Sequence, residues 1–552
     1  MAKDFSILIG GAAGEGTRMT GQFIGKILNH LGWRIFIYED YQSLITGGHN
    51  FSIIRASKEK ISAPKKEIDY LIALNQDTLQ RHKNNLKRDG LIIYNSDQIK
   101  EEKGIGIPAL SITNQLGGKP IMKNSALFGA LVKILGIDWQ ILENLLRKEF
   151  GEKAEINLKI AQAGFERAKT LWKIEKLNQK PLSLLTGNEA VALGALKAGL
   201  EVYLSYPMTP ASSILHFLAQ VKKDFKNVIV CQPENEIAVI NMALGSAYAG
   251  KRTMVGTSGG GFALMVEGLS LAGQSETPIV IVESQRPAPA TGIPTYTAQG
   301  DLLFVLSAGH GDFLRFVVAP GDAEEAFYLT GLAMNIAWKY QMPAIVLIDK
   351  EVSEDTFNFD ESIADKVKVE KPIFWEKAGE YKRYLDAENG ISPLAFPGEK
   401  ETAIKSTSYE HDEFGITTEE EEKIEKMQNK RLKKYRALKR EIENLEGVKV
   451  YGNKNSDKAI VVFGSNKGVA IEMGKELNLR VVQPVILQPF PEEQMKKALL
   501  GVKKIFTIET NASAQLAQFL SCQGIKFESS ILKYTGRPFF IEELKEELKN
   551  KT

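Results

Sequence analysis

The amino-acid sequence predicts an α/β protein, because short apolar strands alternate with helical patterns in three regions of the chain. With 552 residues, the chain is long enough for three or four domains of about 100–200 residues each. The first region has a strand at 5–9, a glycine-rich loop, a helix and a strand at 34–38. The second has four apolar strands that each end in a polar or glycine-containing segment, and the third repeats strand, turn and helix from residue 459. We therefore expect three α/β domains.

The pattern also predicts where the domains begin and end. We expect α/β domains at 1–179, 180–373 and 456–552. A charged connector at 374–455 should join the second domain to the third. The connector should be an extended segment followed by a charged helix that reaches about Leu445. Its charge is typical of a solvated segment, although its length leaves room for an interface role. The first domain should add strands at 70–74 and 91–94 and a helix at 126–135.

Composition excludes several classes of function. The chain is 43% hydrophobic and 25% charged, with a formal net charge of +2, so nucleic acid is not an expected partner. No apolar run approaches the ~20 residues that a membrane span needs, and the first residues lead directly into a strand. We therefore expect no membrane association, no secretory signal and a cytoplasmic protein. Cys231 and Cys522 are too few for a disulfide framework or an iron–sulfur motif, and the histidines show no ligand spacing, so no metal site is expected in this chain.

Polar residues follow the four strands of the second region, and ligands of parallel α/β sheets bind beyond the carboxyl ends of strands. Thr209 lies between two prolines in the Tyr206–Pro210 segment, which predicts a rigid loop that presents its hydroxyl. Arg286 ends another strand, where a guanidinium can bind a carboxylate through two hydrogen bonds. A plain stiff turn and a surface arginine are the alternatives at these two positions.

Glu234 and Glu236 follow the second of these strands and begin an apolar helical run. A helix dipole favours acidic residues in the first turn, which explains one glutamate. Glu236 is predicted to lie at the edge of the core, where a carboxylate needs a partner or takes up a proton. Either behaviour suits a residue that handles protons.

Two glycine-rich loops are candidates for ligand contacts. Thr257, Ser258 and Gly259 open a Thr-Ser-Gly-Gly-Gly segment before a helix, where backbone can approach a ligand or a neighbouring helix closely. Gly14, Glu15 and Gly16 close the first loop, at 10–16. This loop lacks the GxGxxG spacing of a dinucleotide fold and is closer to a phosphate- or pantetheine-accepting turn.

Taken together, these segments resemble the 2-oxoacid:ferredoxin (flavodoxin) oxidoreductases, specifically an alpha subunit with a gamma domain fused at its N-terminus. The resemblance covers nearly the whole chain. The gamma-like part contains Gly10–Gly16 and Gly47–Asn50. The alpha-like part contains the segments 187–190, 206–210, 234–236, 257–262, 283–286, 291–295, 310–312, 390–393, 411–413 and 533–538.

The resemblance implies a thiamine-enzyme pyrimidine-type domain at 180–373 and a transketolase C-terminal-like domain at 456–552. It implies CoA-dependent oxidative decarboxylation of a 2-oxoacid, with 2-oxoglutarate favoured by the fused arrangement. Thr209 and Arg286 would bind the substrate carboxylate, and Glu236 would hydrogen-bond the aminopyrimidine of thiamine diphosphate, with Thr257, Ser258 and Gly259 beside it. Gly14, Glu15 and Gly16 would belong to a domain linked to CoA. Met208 and Ala211 stand where the family often has Ile and Ser.

The chain lacks both the GDG…N motif that holds the diphosphate through Mg²⁺ and the cysteines that bind [4Fe–4S] clusters. The resemblance places both on a beta subunit or a small ferredoxin-like subunit, so thiamine diphosphate would be shared across a subunit interface. It also implies ferredoxin or flavodoxin as electron acceptor and a dimer of alpha–beta units.

Three alternatives remain open from the residues alone. The same reaction could act on pyruvate, branched-chain oxoacids or indolepyruvate. A nucleotide-binding dehydrogenase could use the first glycine loop, with Glu39 or Asp40 as the acidic residue after the second strand. A non-catalytic scaffold could merely assemble a beta subunit.

Overall fold

The structure is a computed structural model that describes residues 4–44, 47–101, 103–376, 379–400 and 402–551. The chain forms two compact units. Unit 1 contains residues 1–185, 355–360 and 540–546, and unit 2 contains residues 186–354, 361–539 and 547–552. The predicted division into three domains and a connector stays a prediction.

Twenty strands are assigned within these described ranges. They are β1 Asp4–Ala13, β2 Arg34–Asp40, β3 Gly47–Ser57, β4 Ile68–Ala73, β5 Leu86–Asn95, β6 Ile105–Ile107, β7 Ser183–Thr186, β8 Val202–Leu204, β9 Ile229–Cys231, β10 Thr253–Thr257, β11 Ile279–Gln285, β12 Phe316–Val318, β13 Pro343–Asp349, β14 Thr356–Phe359, β15 Val448–Gly452, β16 Lys458–Val461, β17 Arg480–Pro484, β18 Ile486–Gln488, β19 Lys504–Glu509 and β20 Ser529–Leu532.

Eighteen α-helices accompany them in the same part of the chain. They are α1 Thr17–His30, α2 Gln76–His82, α3 Ala109–Gln115, α4 Lys123–Ile134, α5 Trp139–Phe150, α6 Ala154–Glu166, α7 Gly187–Lys197, α8 Ser212–Val221, α9 Glu236–Tyr248, α10 Gly259–Gln274, α11 Leu302–Ser307, α12 Ala323–Tyr340, α13 Lys350–Glu354, α14 Glu421–Ile442, α15 Asn466–Glu476, α16 Glu492–Ala498, α17 Gln515–Cys522 and α18 Ile541–Lys551. No helix in the described ranges is long and apolar enough to cross a membrane.

Unit 1 contains a sheet of eight strands in the order β6-β5-β4-β1-β3-β2-β14-β7. β1 is parallel to β4 and antiparallel to β3, and β3 is also antiparallel to β2. The apolar side chains of α1, including Phe23 and Ile27, pack with those of the sheet in one buried core. The sequence pattern did not predict β3, because this strand begins with the polar and glycine-rich segment Gly47–Asn50.

The first glycine loop is shorter than predicted. Residues 10–13 belong to β1, because Gly10 and Gly11 pair in register with Phe51 and Asn50 of β3. Only Gly14, Glu15 and Gly16 turn the chain into α1, and both glycines have positive φ angles, of 89° and 75°. A glycine adopts this region without a steric penalty, so the turn rather than the whole loop accounts for them.

Unit 2 contains two sheets, and together with the sheet of unit 1 they confirm the predicted α/β fold class. One sheet has seven strands in the order β18-β12-β13-β11-β10-β8-β9, and the other has five in the order β15-β17-β16-β19-β20. Side chains of both sheets, such as Val255 and Ile345 from the first and Phe463 and Leu516 from the region of the second, belong to a single buried core. Gln299 joins the two sheets, donating to Asp349 Oδ2 at 3.0 Å and accepting from Asn466 at 2.6 Å.

The predicted charged helix is α14, which ends at Ile442 rather than near Leu445. Its interpretation as a solvated segment is wrong for one face. Lys430, Arg431 and Lys434 are buried on that face, together with apolar residues of the same helix. The physical reason is that Glu276, buried elsewhere in unit 2, accepts ion pairs from Lys430 and Lys434.

Candidate functional site

The four strands with polar ends lie side by side in the seven-stranded sheet. β9, β8, β10 and β11 are adjacent in that order, and each neighbouring pair is parallel. The carboxyl ends of parallel strands meet at one edge, which is where the sequence predicted a ligand site. One strand is longer than expected, since β11 runs through Glu283, Ser284 and Gln285 before the chain reaches Arg286.

Thr209 and Arg286 are brought together at this edge. The guanidinium Nη1 of Arg286 donates a hydrogen bond to the backbone carbonyl of Thr209 at 2.7 Å. The Arg286 side chain is buried, and burial lowers its pKa from the ordinary value, while the carboxyls of Asp301 and Glu283 act in the opposite direction. The loop and the arginine therefore form one preorganised unit that can present N–H donors and a hydroxyl to an anion.

Glu236 is the first residue of α9, which begins with a side-chain cap. The Oδ1 of Asn235 accepts a hydrogen bond from Ala238 N at 2.9 Å, which satisfies one of the free N–H groups of the first turn. Glu236 is only 3% exposed, and no donor among the described residues reaches its Oε1. Glu234, two residues earlier, is exposed. The prediction that Glu236 lies at the edge of the core is confirmed, because its side chain is buried.

The N-terminus of α10 is enclosed by carboxylates. A Cβ added at Gly261 would lie 2.1 Å from Thr257 Oγ1 and 2.5 Å from Glu236 Oε1, and one at Gly259 would lie 2.5 Å from Asp301 Oδ2. Only glycine fits these positions. The glycines therefore leave room for Thr257, Glu236 and Asp301 beside the first turn of the helix, where the helix dipole favours negative charge.

A cavity of about 680 Å³ opens in front of this helix end. Gly259, Gly260 and Asp301 line one side, and the segment 510–513 after β19 lines another, with Tyr534 and Gly536. Glu236 and Arg286 are not among the residues that line this cavity. This volume is large enough for a small-molecule ligand.

Two carboxyls of this site were not singled out from the sequence. Glu283 is fully buried in β11, and neither of its carboxylate oxygens has a hydrogen-bond donor among the described residues. Burial raises its pKa well above the usual range, and the neighbouring Asp301 adds to the rise. Burial also raises the pKa of Asp301 to about 6. The sequence signal for Asp301 was weak, because it is an acidic residue that follows a glycine at the end of a proline- and glycine-rich stretch.

Ser258 and Thr257 lie at the same helix end. Ser258 precedes α10 without a side-chain capping bond, and its buried hydroxyl has no partner among the described residues. Unsatisfied buried polar atoms are uncommon in folded proteins, so each calls for an explanation. Those of Glu236, Ser258, Glu283 and Asp301 lie where the sequence predicted a cofactor.

Gly14, Glu15 and Gly16 lie in unit 1, where Glu15 is held by three neighbours. Its Oε1 is 2.5 Å from Lys123 Nζ, and its Oε2 accepts hydrogen bonds from Ala12 N at 2.7 Å and Asn75 at 3.1 Å. Gly14 is exposed, and a Cβ placed there would meet open space. The turn is thus rigid around Glu15 and accessible at Gly14.

The acidic residues required by the dehydrogenase alternative are already engaged. Glu39 Oε2 accepts a hydrogen bond from Ser52 at 2.6 Å, and Asp40 Oδ2 accepts one from Tyr38 at 2.9 Å. Both carboxylates are buried at the end of β2. Across the described residues, no group of three or more His, Cys, Asp and Glu side chains is arranged to hold a metal ion.

Two family models match the chain. The model "Pyruvate flavodoxin/ferredoxin oxidoreductase, thiamine diP-bdg" matches residues 193–430, and "Pyruvate ferredoxin/flavodoxin oxidoreductase" matches residues 6–167. The first match includes every site residue described above in the seven-stranded sheet. The second includes the turn at Gly14–Gly16.

Similar proteins carry related names. The 2-oxoacid:ferredoxin oxidoreductase subunit alpha of Saccharolobus solfataricus is 32% identical, over 99% of this chain and 97% of its own. The 2-oxoglutarate synthase subunit KorA of Archaeoglobus fulgidus is 33% identical, over 60% of this chain and 88% of its own. The solved structure of a 2-oxoglutarate:ferredoxin oxidoreductase from Magnetococcus marinus, with 2-oxoglutarate, coenzyme A and succinyl-CoA bound, is 29% identical with a TM-score of 0.90 and full coverage of both chains.

These comparisons confirm the resemblance found in the sequence and give no support to the nucleotide-binding dehydrogenase. The first relative exceeds 30% identity over nearly its whole length. The structural match extends over both units of this chain. The chain therefore belongs to the family of 2-oxoacid:ferredoxin oxidoreductase alpha subunits.

Proposed function

We propose that this chain is the gamma–alpha polypeptide of a cytoplasmic 2-oxoacid:ferredoxin oxidoreductase that converts 2-oxoglutarate and CoA to succinyl-CoA and CO₂. One observation carries the proposal: the buried Oε1 of Glu236 has no hydrogen-bond donor among the described residues. This atom lies near Thr257, at the N-terminus of α10. A buried carboxylate oxygen without a partner is costly unless a ligand supplies the missing hydrogen bond.

The residues at this helix end fit thiamine diphosphate. Glu236 would offer Oε1 to the aminopyrimidine ring, as the family resemblance implies, and Thr257, Ser258 and Gly259 would contact the ring. Thiamine diphosphate, when bound, supplies the carbon nucleophile and the electron sink that decarboxylation requires. A carboxylate that accepts a hydrogen bond from the ring nitrogen favours the tautomer that can act as a base.

Arg286 and Thr209 would orient the oxoacid. The bond from Arg286 to the Thr209 carbonyl fixes the loop and the guanidinium relative to each other. A carboxylate bound to such a preorganised pair would be held in one orientation, which is how binding energy is converted into rate. The choice of 2-oxoglutarate is supported by the names of the relatives from Archaeoglobus fulgidus and Magnetococcus marinus. Pyruvate, branched-chain oxoacids and indolepyruvate are the substrates to test against it.

The remaining parts of the reaction would come from partners. A beta subunit would hold the diphosphate through Mg²⁺ and carry a [4Fe–4S] cluster, and ferredoxin or flavodoxin would accept the electrons. Gly14, Glu15 and Gly16 are the candidate contacts for CoA, supported by the exposed, positive-φ turn at Gly14. We expect a dimer of alpha–beta units.

The test is an anaerobic purification of the tagged chain from its native cells. CoA-dependent viologen reduction is then measured with 2-oxoglutarate, pyruvate and 2-oxoisovalerate side by side. We expect a brown partner subunit to co-purify and 2-oxoglutarate to give the highest kcat/KM. If another oxoacid gives the highest kcat/KM, the substrate assigned here is wrong. NAD-dependent activity of the isolated chain would contradict the whole proposal.

The role of Glu236 is tested in the same complex by E236Q, with E234Q as the matched control. Gln has the same shape as Glu but cannot act as the charged acceptor, so we expect E236Q to lose at least ~100-fold in kcat. E234Q changes an exposed residue in the same turn and should keep wild-type activity. Full activity of E236Q would favour the scaffold alternative.

A further inference from the structure

Glu283 and Asp301 form a carboxyl pair without external donors. Asp301 lies beside the face of β11 that carries Glu283, because its backbone N–H donates to Gln285 Oε1 at 3.1 Å and residues 283 and 285 lie on the same face of the strand. Both oxygens of Glu283 and the Oδ2 of Asp301 are buried, and no N–H or O–H donor among the described residues reaches them. Ionised carboxylates only accept hydrogen bonds, so a contact between two of them is repulsive unless one holds a proton.

The positions of the two carboxyls indicate which of them holds the proton. Glu283 is fully buried in a central strand, and its own neighbours are Asp301, Arg286 and Asp349. Asp301 lies on the wall of the cavity, beside the N-terminus of α10, where the helix dipole favours its charge. Asp349 already has its own donors, since it accepts hydrogen bonds from Gln299, from Val352 N and from Ser465 N.

The pKa shifts of the two carboxyls agree with a proton on Glu283 and a charge on Asp301. Burial and the charge of Asp301 raise the pKa of Glu283 well above the usual range. Burial raises the pKa of Asp301 to about 6, but a hydrogen bond from Glu283 and the charge of Arg286 both oppose the rise. At neutral pH the three groups Glu283, Asp301 and Arg286 therefore carry a net charge of zero with one shared proton.

We propose that Glu283 stays protonated and donates its O–H to Asp301, and that the ionised Asp301 is a positioning residue that balances Arg286 until a substrate carboxylate arrives. The pairing of the two carboxyls is argued from the position of Asp301 beside β11 and from their buried oxygens without donors. The involvement of the substrate rests on the function proposed above.

The consequence is a linkage between substrate binding and a proton. A substrate carboxylate at Arg286 brings a second negative charge towards Asp301, so binding is favoured when Asp301 takes up a proton from solvent. Affinity for the oxoacid should be highest below about pH 6, where Asp301 is neutral, and should fall as pH rises through that value. No covalent step is involved, and only one proton moves between solvent and Asp301.

Isosteric variants separate the two carboxyls in the assembled complex. D301N removes the negative charge, so the KM for the oxoacid should lose its dependence on pH between 6 and 7.5. In the wild type we expect KM to rise about five- to tenfold over that range, the size of a typical coupling between two sites. E283Q keeps an N–H donor towards Asp301, so the rise in KM should persist. A KM that is equally flat in the wild type and in both variants, or flat in E283Q alone, would overturn the proposal.

An infrared measurement tests the proton itself without substrate. The difference spectrum between wild type and E283Q should contain the C=O stretch of a protonated carboxyl at pH 7, and D301N should keep that band. Absence of the band from the wild-type spectrum would overturn the proposal even if either variant failed to fold. If the band is present but no 2-oxoacid supports turnover, the proton assignment stands and the proposed function fails.

Discussion

Two groups of buried carboxylates in unit 2 are alike in burial and opposite in bonding. Glu276 is 1% exposed, and both of its oxygens lie 2.8 Å from Lys430 Nζ, with Lys434 Nζ 2.5 Å from one of them. Glu236 and Glu283 are buried to a similar degree, yet between them three oxygens lack donors among the described residues. The first group is complete without a ligand, whereas the second is not.

The difference shows what each group does. The two ammonium groups around Glu276 hold its pKa far below the usual range, although its burial acts in the opposite direction. Burial lowers the pKa of Lys434 to about 8. The neighbouring ammonium group of Lys430 adds to this decrease, and the carboxylate of Glu276 opposes it. This ion cluster of Glu276, Lys430 and Lys434 holds α14 against the rest of unit 2. The carboxylate with donors therefore has a structural role, whereas Glu236 and Glu283, which lack them, lie at the candidate site.

The largest expected effect comes from breaking the ion cluster. E276Q would leave two buried ammonium groups without their carboxylate, so we expect the free energy of unfolding of unit 2 to fall by about 3–5 kcal/mol in urea titrations. K433M is the matched control on the same helix, because Lys433 is partly exposed and pairs with Asp386 at 2.8 Å. It should cost less than ~1 kcal/mol. If both variants lost the same free energy of unfolding, the buried ion cluster would contribute no more to stability than the partly exposed pair.

The next effect sharpens the functional side of the comparison. R286K keeps the charge but loses the planar fork and the bond to Thr209, so KM for the oxoacid should rise about 10- to 100-fold, with a smaller change in kcat. R440K is the control, since the hydrogen bond that Arg440 donates within the described part of the chain goes to the carbonyl of Arg436 in its own helix. Steady-state kinetics at fixed pH would decide. An unchanged KM in R286K would remove Arg286 from substrate binding.

A smaller effect is expected from a neutral buried pair in unit 1. His49 and His82 are joined through their Nε2 atoms at 2.7 Å, and burial, with the second imidazole nearby, lowers the pKa of His82 to about 3. Its folded pKa lies below the unfolded value, so its contribution to stability is present above about pH 6.5 and is lost as pH falls towards 3. At pH 5 this amounts to about 2 kcal/mol.

Hydrogen exchange of the β1 and β3 peptides, corrected for intrinsic rates, measures this loss between pH 7 and pH 5. H82F should reduce the pH dependence, and H30Q, which changes an exposed residue of α1, should leave it as in the wild type. If H82F exchanged with the same pH dependence as the wild type, His82 would have to titrate normally in the folded protein.

Much of the site could be predicted because its signals are local. Thr209, Glu236 and Arg286 each follow a strand that is visible in the sequence as an apolar run before polar residues, and the parallel topology brings the ends of these strands together. The burial of Glu236 followed from its place in an apolar helical pattern. The glycines of α10 were ambiguous from sequence, and the structure shows that Glu236 and Asp301 occupy the space a Cβ would take.

The residues that sequence reasoning missed depend on distant partners. Lys430 looks like part of a solvated charged helix until Glu276, 154 positions away, is brought against it. Asp301 lies in an irregular segment, and only the fold places it beside Glu283. β3 begins with glycines and a histidine, so its strand character comes from pairing with β1 and β2 rather than from its own pattern.

The most direct test of the central claim is to measure turnover and the midpoint of thermal unfolding for E236Q and E276Q in the same purified complex. The account predicts that E236Q loses at least ~100-fold in kcat while its midpoint, measured without thiamine diphosphate, stays at or above the wild-type value, because a buried carboxylate oxygen without a donor is costly. E276Q should show the opposite pattern, with a lower midpoint and near-wild-type turnover per folded molecule. A lower midpoint for E236Q with undiminished turnover would contradict the claim that its unpaired carboxylate belongs to the active site.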